Sequence, residues 1–315
     1  MSEEGKTDYF HYLADDLMKV KRYDDAIKLY EKLVDLHPGE DSFLLSLAWA
    51  YHDSGRLADA VDCFERLLNV ELKQEVFTGF AFDELVRIFK EKGEYNRLVD
   101  VCKKVVAAQP DDTALLSELG DAYLKAGRAS EAVGVFEKIV EVEQDASAAY
   151  CNLGNALVAT GNFDGAEEAY RKAVEIDPSE AGSFYNKLAY VYFDAGHDKR
   201  AEMAFRRGLE FRIDEPMYHC GLGDVLVRLG KINDANDEYD KAVDLNRASS
   251  AAYYNRFGNT LARESYHLQA IEAFKKAIAA DPKNPFYYVR LAESYTAIER
   301  PDMAEKICRQ VESLK

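Results

Sequence analysis

A glycine and an alanine five residues apart recur along the chain: Gly55 and Ala60, Gly127 and Ala132, Gly161 and Ala166, Gly196 and Ala201, Gly230 and Ala235. Pro38, Pro110, Pro178 and Pro282 punctuate the same cycle. Aligned on these marks, nine units begin at Thr7, Asp41, Gly79, Thr113, Ser147, Gly182, Pro216, Ala251 and Pro285. The step is 34 or 35 residues throughout, except the 38 residues between the second and third starts. A unit this short cannot bury its apolar face alone. It must stack on its neighbours, so the chain is expected to be an extended array.

Within each unit two helical patterns are visible. Counting from the unit start, positions 4, 7, 8 and 11 share one face of a first helix, and positions 20, 24, 27 and 28 share one face of a second. The fifth unit carries Tyr150, Leu153, Gly154 and Leu157, then Ala166, Tyr170, Ala173 and Val174, then Pro178. The glycine between the helices suits a left-handed residue that ends the first helix. The proline cannot extend the second. Asn284-Pro285 has the form of a helix start, a capping side chain followed by a proline at the first helical position. Position 8 is alanine or glycine and position 20 is alanine in every unit but the third, which has Val86 and Leu98. Two antiparallel helices that cross closely need small residues there, and a large one costs roughly 1–3 kcal/mol.

This pattern resembles the tetratricopeptide repeat family over essentially the whole chain. The resemblance implies an all-α fold: one array over residues 1–315, a right-handed α-solenoid superhelix of about nine helix-turn-helix repeats. It also implies that the first helices line a concave groove, with positions 2, 5, 9 and 12 facing it and 6 and 13 at its margins. Those positions hold Trp49 in the first half and Asn155, Asn186, Tyr190, Phe193, Asn255, Asn259, Arg263 and Arg290 in the second, with Arg256 beside them. These are the candidate partner-binding residues. An asparagine offers a donor and an acceptor together, which matches an extended peptide backbone. An arginine adds carboxylate recognition. For the asparagines the alternative is hydrogen bonding between helices along the wall. For Trp49 it is packing on a neighbouring first helix. The carboxylate clamp of co-chaperone tetratricopeptide domains has no matching window: Cys151 and Asn155, for example, are followed by Lys187, Met217 and Gly221.

The long step contains KQEVFTGFAF, residues 73–82. Four extra residues are about one helical turn. They predict either a longer second helix before a wider helix pair, or an exposed anchor at Phe77 or Phe80.

Charge narrows the partners. The net charge is −17, and residues 1–145 carry 18 basic and 31 acidic side chains against 22 and 26 in the rest. Such a surface disfavours nucleic acid and anionic membranes. The first residues, MSEEGKTDYF, lack a signal peptide's basic and apolar segments, and no run of eighteen apolar residues occurs. Cys63, Cys102, Cys151, Cys220 and Cys308 are widely spaced, as in reduced thiols of a cytoplasmic protein. No nucleotide-binding, metalloprotease or nucleophile-elbow motif is present, and His219-Cys220 places adjacent residues on different helix faces, a poor metal pair. The expectation is a non-catalytic scaffold without cofactor or metal, binding a protein or peptide, with acidic residues as favoured contacts. The alternatives are a structural scaffold that self-associates through uncapped terminal repeats, and the regulatory repeat region of a larger enzyme such as a glycosyltransferase.

Overall fold

The computed structural model describes residues 3–75 and 77–312, with side chains over 6–75 and 77–311. It divides into two compact units, Met1–Val142 and Glu143–Lys315. Each is a stack of helical hairpins, and no strand occurs among the described residues.

The first unit pairs α1 (Glu3–Lys19) with α2 (Tyr23–Leu36), α3 (Asp41–Asp53) with α4 (Leu57–Lys73), α5 (Phe80–Lys92) with α6 (Tyr95–Ala108), and α7 (Thr113–Lys125) with α8 (Ala129–Val142). The second pairs α9 (Ser147–Ala159) with α10 (Phe163–Ile176), α11 (Ala181–Asp194) with α12 (Asp198–Phe211), α13 (Pro216–Arg228) with α14 (Ile232–Leu245), α15 (Ser250–Arg263) with α16 (His267–Ala280), and α17 (Pro285–Ala297) with α18 (Pro301–Glu312). From α3 onward every first helix begins within one residue of its expected start, whereas α1 begins at Glu3, ahead of Thr7.

The turns between paired helices share one geometry. The left-handed residue stands one place past a right-handed C-cap, for example Gly55 at φ 81° after Ser54 and Gly161 at φ 80° after Thr160. The next N–H reaches back across the turn, as from Arg56 to the Tyr51 carbonyl at 2.9 Å and from Arg128 to the Tyr123 carbonyl at 2.8 Å. Those two arginines also lie over the rings they reach back to, 4.5 and 4.8 Å from the centroids. Three hairpins place Lys21, Ser265 and Glu299 in the left-handed position, at φ 60°, 68° and 58°. The expected cap at Asn284 is present: its Oδ1 accepts from the Phe286 N–H at 3.1 Å, with Pro285 opening the helix.

The small residue at position 8 does more than let two backbones approach. It seats the ring from position 24. A Cβ on Gly154 would stand 2.6 Å from the Tyr170 ring, and one on Gly223 would stand 2.7 Å from Tyr239. Each would also lie 3.4 Å from the carbonyl oxygen of the position-20 alanine, Ala166 or Ala235. Tyr170, Tyr239, Phe136 and Phe274 are consequently almost fully buried.

The long step resolves into a longer helix. α4 has 17 residues where most second helices have 14. Its buried Glu71 accepts from the Thr78 hydroxyl at 2.6 Å, tying the helix to the following turn. Gly79, at φ 80°, then starts α5. Phe77 is half-buried against Phe82, and Phe80 is 40% exposed with its ring 6.1 Å from Trp49. Of the nine hairpins among the described residues, α5–α6 has the sparsest contact between its two helices, as Val86 and Leu98 foretell.

Candidate functional site

In the second unit each first helix packs against the next, α9 on α11, then α13, α15 and α17. This continuous wall carries eight of the nine candidate residues. Their surroundings differ sharply.

Several are engaged within the chain. Asn155 Oδ1 accepts the Tyr170 hydroxyl at 2.6 Å, the inter-helix alternative. Tyr190 meets Phe205 edge-on, 5.0 Å between centroids, and its hydroxyl accepts from Arg256 Nη2 at 3.2 Å. Phe193 lies under the Arg228 guanidinium at 4.1 Å, and its carbonyl accepts from Arg228 Nη1 at 2.9 Å. In the first unit, Trp49 is half-buried and leans on Phe64 of its own hairpin and on Phe80 of the next first helix. That is the packing alternative.

Others have open valences. The Oδ1 atoms of Asn186 and Asn255 are buried and have no hydrogen-bond partner among the described residues. Asn259, Arg263 and Arg290 converge with His267, Glu293 and Ser294 on one cavity of about 430 Å³. Arg263 is exposed and makes no ion pair among the described residues. Arg290 gives Nη1 to Glu293 at 2.8 Å and rests over Phe286, while its Nε is buried without a partner. His267 Nδ1 is likewise buried and unpartnered.

Behind the wall lies a polar hub that the sequence reading missed. Asp224 is buried on α13. Its Oδ1 accepts from the hydroxyls of Tyr239 and Thr260, both at 2.6 Å. Its Oδ2 accepts from Arg256 Nε and Nη2 at 2.9 and 2.6 Å. Four helices, α11, α13, α14 and α15, meet there through Tyr190, Asp224, Tyr239 and the Arg256–Thr260 pair. One part of this was readable. Position 9 accepts from a tyrosine at position 24 in three hairpins: Asp15 from Tyr30, Asn155 from Tyr170 and Asp224 from Tyr239. Elsewhere position 24 is phenylalanine or cysteine and position 9 varies freely.

A second buried polar pair ties α13 to α14. His219 Nδ1 lies 2.6 Å from Glu238 Oε2, and Nε2 lies 3.0 Å from the Ile213 carbonyl. The bond to Glu238 raises the His219 pKa against the opposing effect of burial. Burial disfavours charge on Glu238, but bonds from His219 and Lys241 outweigh it and hold that carboxyl below its usual range. Both partners are oxygen acceptors, so a doubly protonated ring can donate from both nitrogens. His219 is thus a structural group, and no cluster of metal-ligating side chains occurs among the described residues. Cys63, Cys102, Cys151 and Cys220 are buried free thiols, pushed by burial to about 11 or 12. Among the described residues no helix is long and apolar enough to cross a membrane.

With this geometry in hand, the relatives can be placed. The tetratricopeptide repeat model matches residues 13–74, 101–149, 117–181, 151–216 and 220–285. The chain belongs to the tetratricopeptide repeat family. The model passes over residues 75–100, the stretch that holds the irregular α5, its turn and the first part of α6. Tetratricopeptide chains of this kind are protein-interaction scaffolds. No curated protein matches. Among solved structures, MamA is 25% identical over 51% of this chain and 94% of its own, with TM-score 0.38. YrrB, titled a TPR protein with an unusual peptide-binding site, is 25% identical over 57% and 92%, with TM-score 0.38. Yeast Tom70 is 15% identical over 100% and 93%, with TM-score 0.40.

Proposed function

We propose that this tetratricopeptide chain is a non-catalytic scaffold whose second unit binds an extended peptide segment of a partner protein along its first-helix wall. The observation that carries this reading is the convergence of Asn259, Arg263 and Arg290 on one open cavity. The unpartnered Oδ1 atoms of Asn186 and Asn255 lie on the same wall and support it. A buried acceptor without a donor costs about 1–3 kcal/mol, so such atoms mark places where a ligand can supply what the fold does not. Asn155, Tyr190 and Phe193 then act as fixed lining, because their polar or aromatic faces are already engaged.

Selection of a peptide library on the full chain tests this. A selected peptide should lose at least tenfold in affinity for the triple variant Asn186→Ala, Asn259→Ala, Arg263→Ala, with helical circular dichroism unchanged. Unaltered affinity in that variant overturns the wall as the site.

A second reading has its own observation. On α1, Tyr9 is 56% and Tyr12 is 69% exposed, and Leu13, one turn on from Tyr9, is exposed as well. This apolar face favours association between copies of the chain. Sedimentation over a hundredfold concentration range separates the two readings: a growing species supports assembly, and a constant monomer removes it.

A further inference from the structure

The cavity shared by α15, α16 and α17 has the chemistry of an anion site, and we infer that it takes a peptide carboxylate, from either an acidic side chain or a chain terminus. The inference rests on the wall reading above and names the ligand group that one part of the wall recognises.

Three observations converge. First, of the chain's arginines only Arg66 and Arg263 make no ion pair among the described residues, and Arg263 stands at the cavity. In a chain of net charge −17 nearly every guanidinium is neutralised nearby, so a free one facing a cavity stands out. Second, two nitrogens of the lining, Arg290 Nε and His267 Nδ1, are buried and unpartnered. Arg290 Nε always carries a proton, so its vacancy calls for an acceptor. Third, the cavity lies at the amino end of α16, which begins at His267 after Tyr266, and no side chain caps it. The unmet N–H groups of a first helical turn add positive potential.

The lining already shows which anion suits it. Glu293 is its one acidic residue, and its Oε2 accepts from Arg290 Nη1 at 2.8 Å. A carboxylate thus satisfies one arm of Arg290 while Nε and Arg263 stay open. Two arginines against one glutamate leave a single net positive charge, which matches a carboxylate better than a phosphate dianion. Glu293 is mostly exposed, so it can swing out and yield Arg290 to the incoming group. Paired with both arginines, a carboxylate would receive charge-assisted bonds from two planar donors. The residues differ from those of the co-chaperone clamp, which no window of this chain reproduces.

The test uses isotope-labelled full-length chain and reads the Arg263 and Arg290 Nε–Hε resonances by NMR. The probes are acetyl-Glu-Glu-Glu-amide, acetyl-Ala-Ala-Ala with a free carboxylate, neutral acetyl-Gln-Gln-Gln-amide and inorganic phosphate. At least one of the first two should saturate both resonances, and the tighter of them identifies the source of the carboxylate. Arg263→Gln should weaken that probe about tenfold. Glu293→Gln should strengthen it about threefold by removing the competing carboxylate. No saturation by either carboxylate probe, equal binding of the glutamine peptide, tighter binding of phosphate, or an unaffected Arg263→Gln variant overturns the proposal. Failure of the wall reading is distinguishable. If a library-selected peptide binds Arg263→Gln normally but is weakened by Asn186→Ala, the carboxylate site falls and the wall stands. If triglutamate saturates Arg290 while Asn186→Ala and Asn255→Ala leave every selected peptide unchanged, the carboxylate site stands and the extended wall falls.

Discussion

The hairpins α5–α6 and α13–α14 have the same helix lengths, 13 and 14 residues, and the same left-handed glycine between them, Gly93 or Gly230. Their interiors share little. In α13–α14, Gly223 seats the Tyr239 ring, and the tyrosine hydroxyl reaches Asp224 on the opposite helix. That contact opens a polar hub with Arg256 and Thr260, and His219 with Glu238 adds a second buried link. In α5–α6, position 8 is Val86, position 20 is Leu98 and position 24 is Cys102. Position 24 thus supplies no ring, and the helices touch sparsely. The backbone outline of a repeat therefore does not require the small-residue rule. What the rule adds is a close crossing in which a ring and its hydroxyl can be buried with a partner.

The hub should give the largest effect if this comparison holds. Asp224→Ala would leave Arg256 without its carboxylate and two hydroxyls without an acceptor. Removing one member of a buried ion pair costs about 3–5 kcal/mol. Chemical denaturation should show a loss of that size, and a loss below about 1 kcal/mol would mean that the hub is solvated. No single polar substitution in α5–α6 should approach it.

The seat under the ring comes next. Gly223→Val should cost about 3 kcal/mol, because even its Cβ would stand 2.7 Å from Tyr239. The reverse change in the loose hairpin, Val86→Gly, should cost only about 1 kcal/mol, shared between helix propensity and the lost burial of a half-buried side chain, since Val86 seats no ring. Equal losses at the two sites would break the comparison.

Much of this was legible beforehand. Helix starts, turn residues and the anomaly at residues 73–82 follow from local chemistry: glycine where φ must be positive, proline where a helix must stop, one extra turn where four residues are added. The site was legible only in part. Position along a helix puts Asn155, Tyr190 and Asn259 on one wall, but it does not reveal that Tyr170 and Arg256 occupy the first two and leave the third open. Asp224 and Arg256 are 32 residues apart, and Arg256 and Tyr190 are 66. Such pairings depend on how successive repeats rotate against one another, and a single repeat does not encode that. His267 was missed for a related reason. It opens a second helix, whereas the groove positions of the repeat lie on first helices.

The His219–Glu238 link gives the comparison a pH dependence. The folded-state pKa of His219 is raised above its ordinary value of about 6.5. Its contribution is therefore fully present below that value and fades as pH rises through the folded-state pKa. The pKa of Glu238 is lowered, so its share is present above the ordinary carboxylate range and fades as pH falls through the lowered value. Unfolding followed from pH 6 to pH 8, below the range where the unfolded thiols ionise, should show stability falling in the native chain. Glu238→Gln should cost about 2 kcal/mol at pH 6 and flatten that fall. In α5–α6 the buried titratable group is Cys102, which burial pushes up to about 12 in the fold and whose unfolded thiol ionises only at about 8.5, above this range. A fall that persists unchanged in Glu238→Gln would place the titrating group elsewhere.

The smallest effects test what the two hairpins share. If tightness comes from the crossing and not from the turn, Gly93→Ala and Gly230→Ala should cost the same, about 1 kcal/mol each, the cost of a Cβ in a left-handed turn. Both sites have room, with the nearest side-chain atoms 4.0 Å away at Tyr95 and 3.5 Å away at Tyr266. The chain already tolerates this penalty at Lys21, Ser265 and Glu299. The converse change, Ser265→Gly, should then stabilise by about 1 kcal/mol, which thermal denaturation can resolve. A cost at Gly230 well above that at Gly93 would show that the turn itself is strained by the close crossing of α13 and α14. Loop and core would then be one cooperative device, not two independent ones.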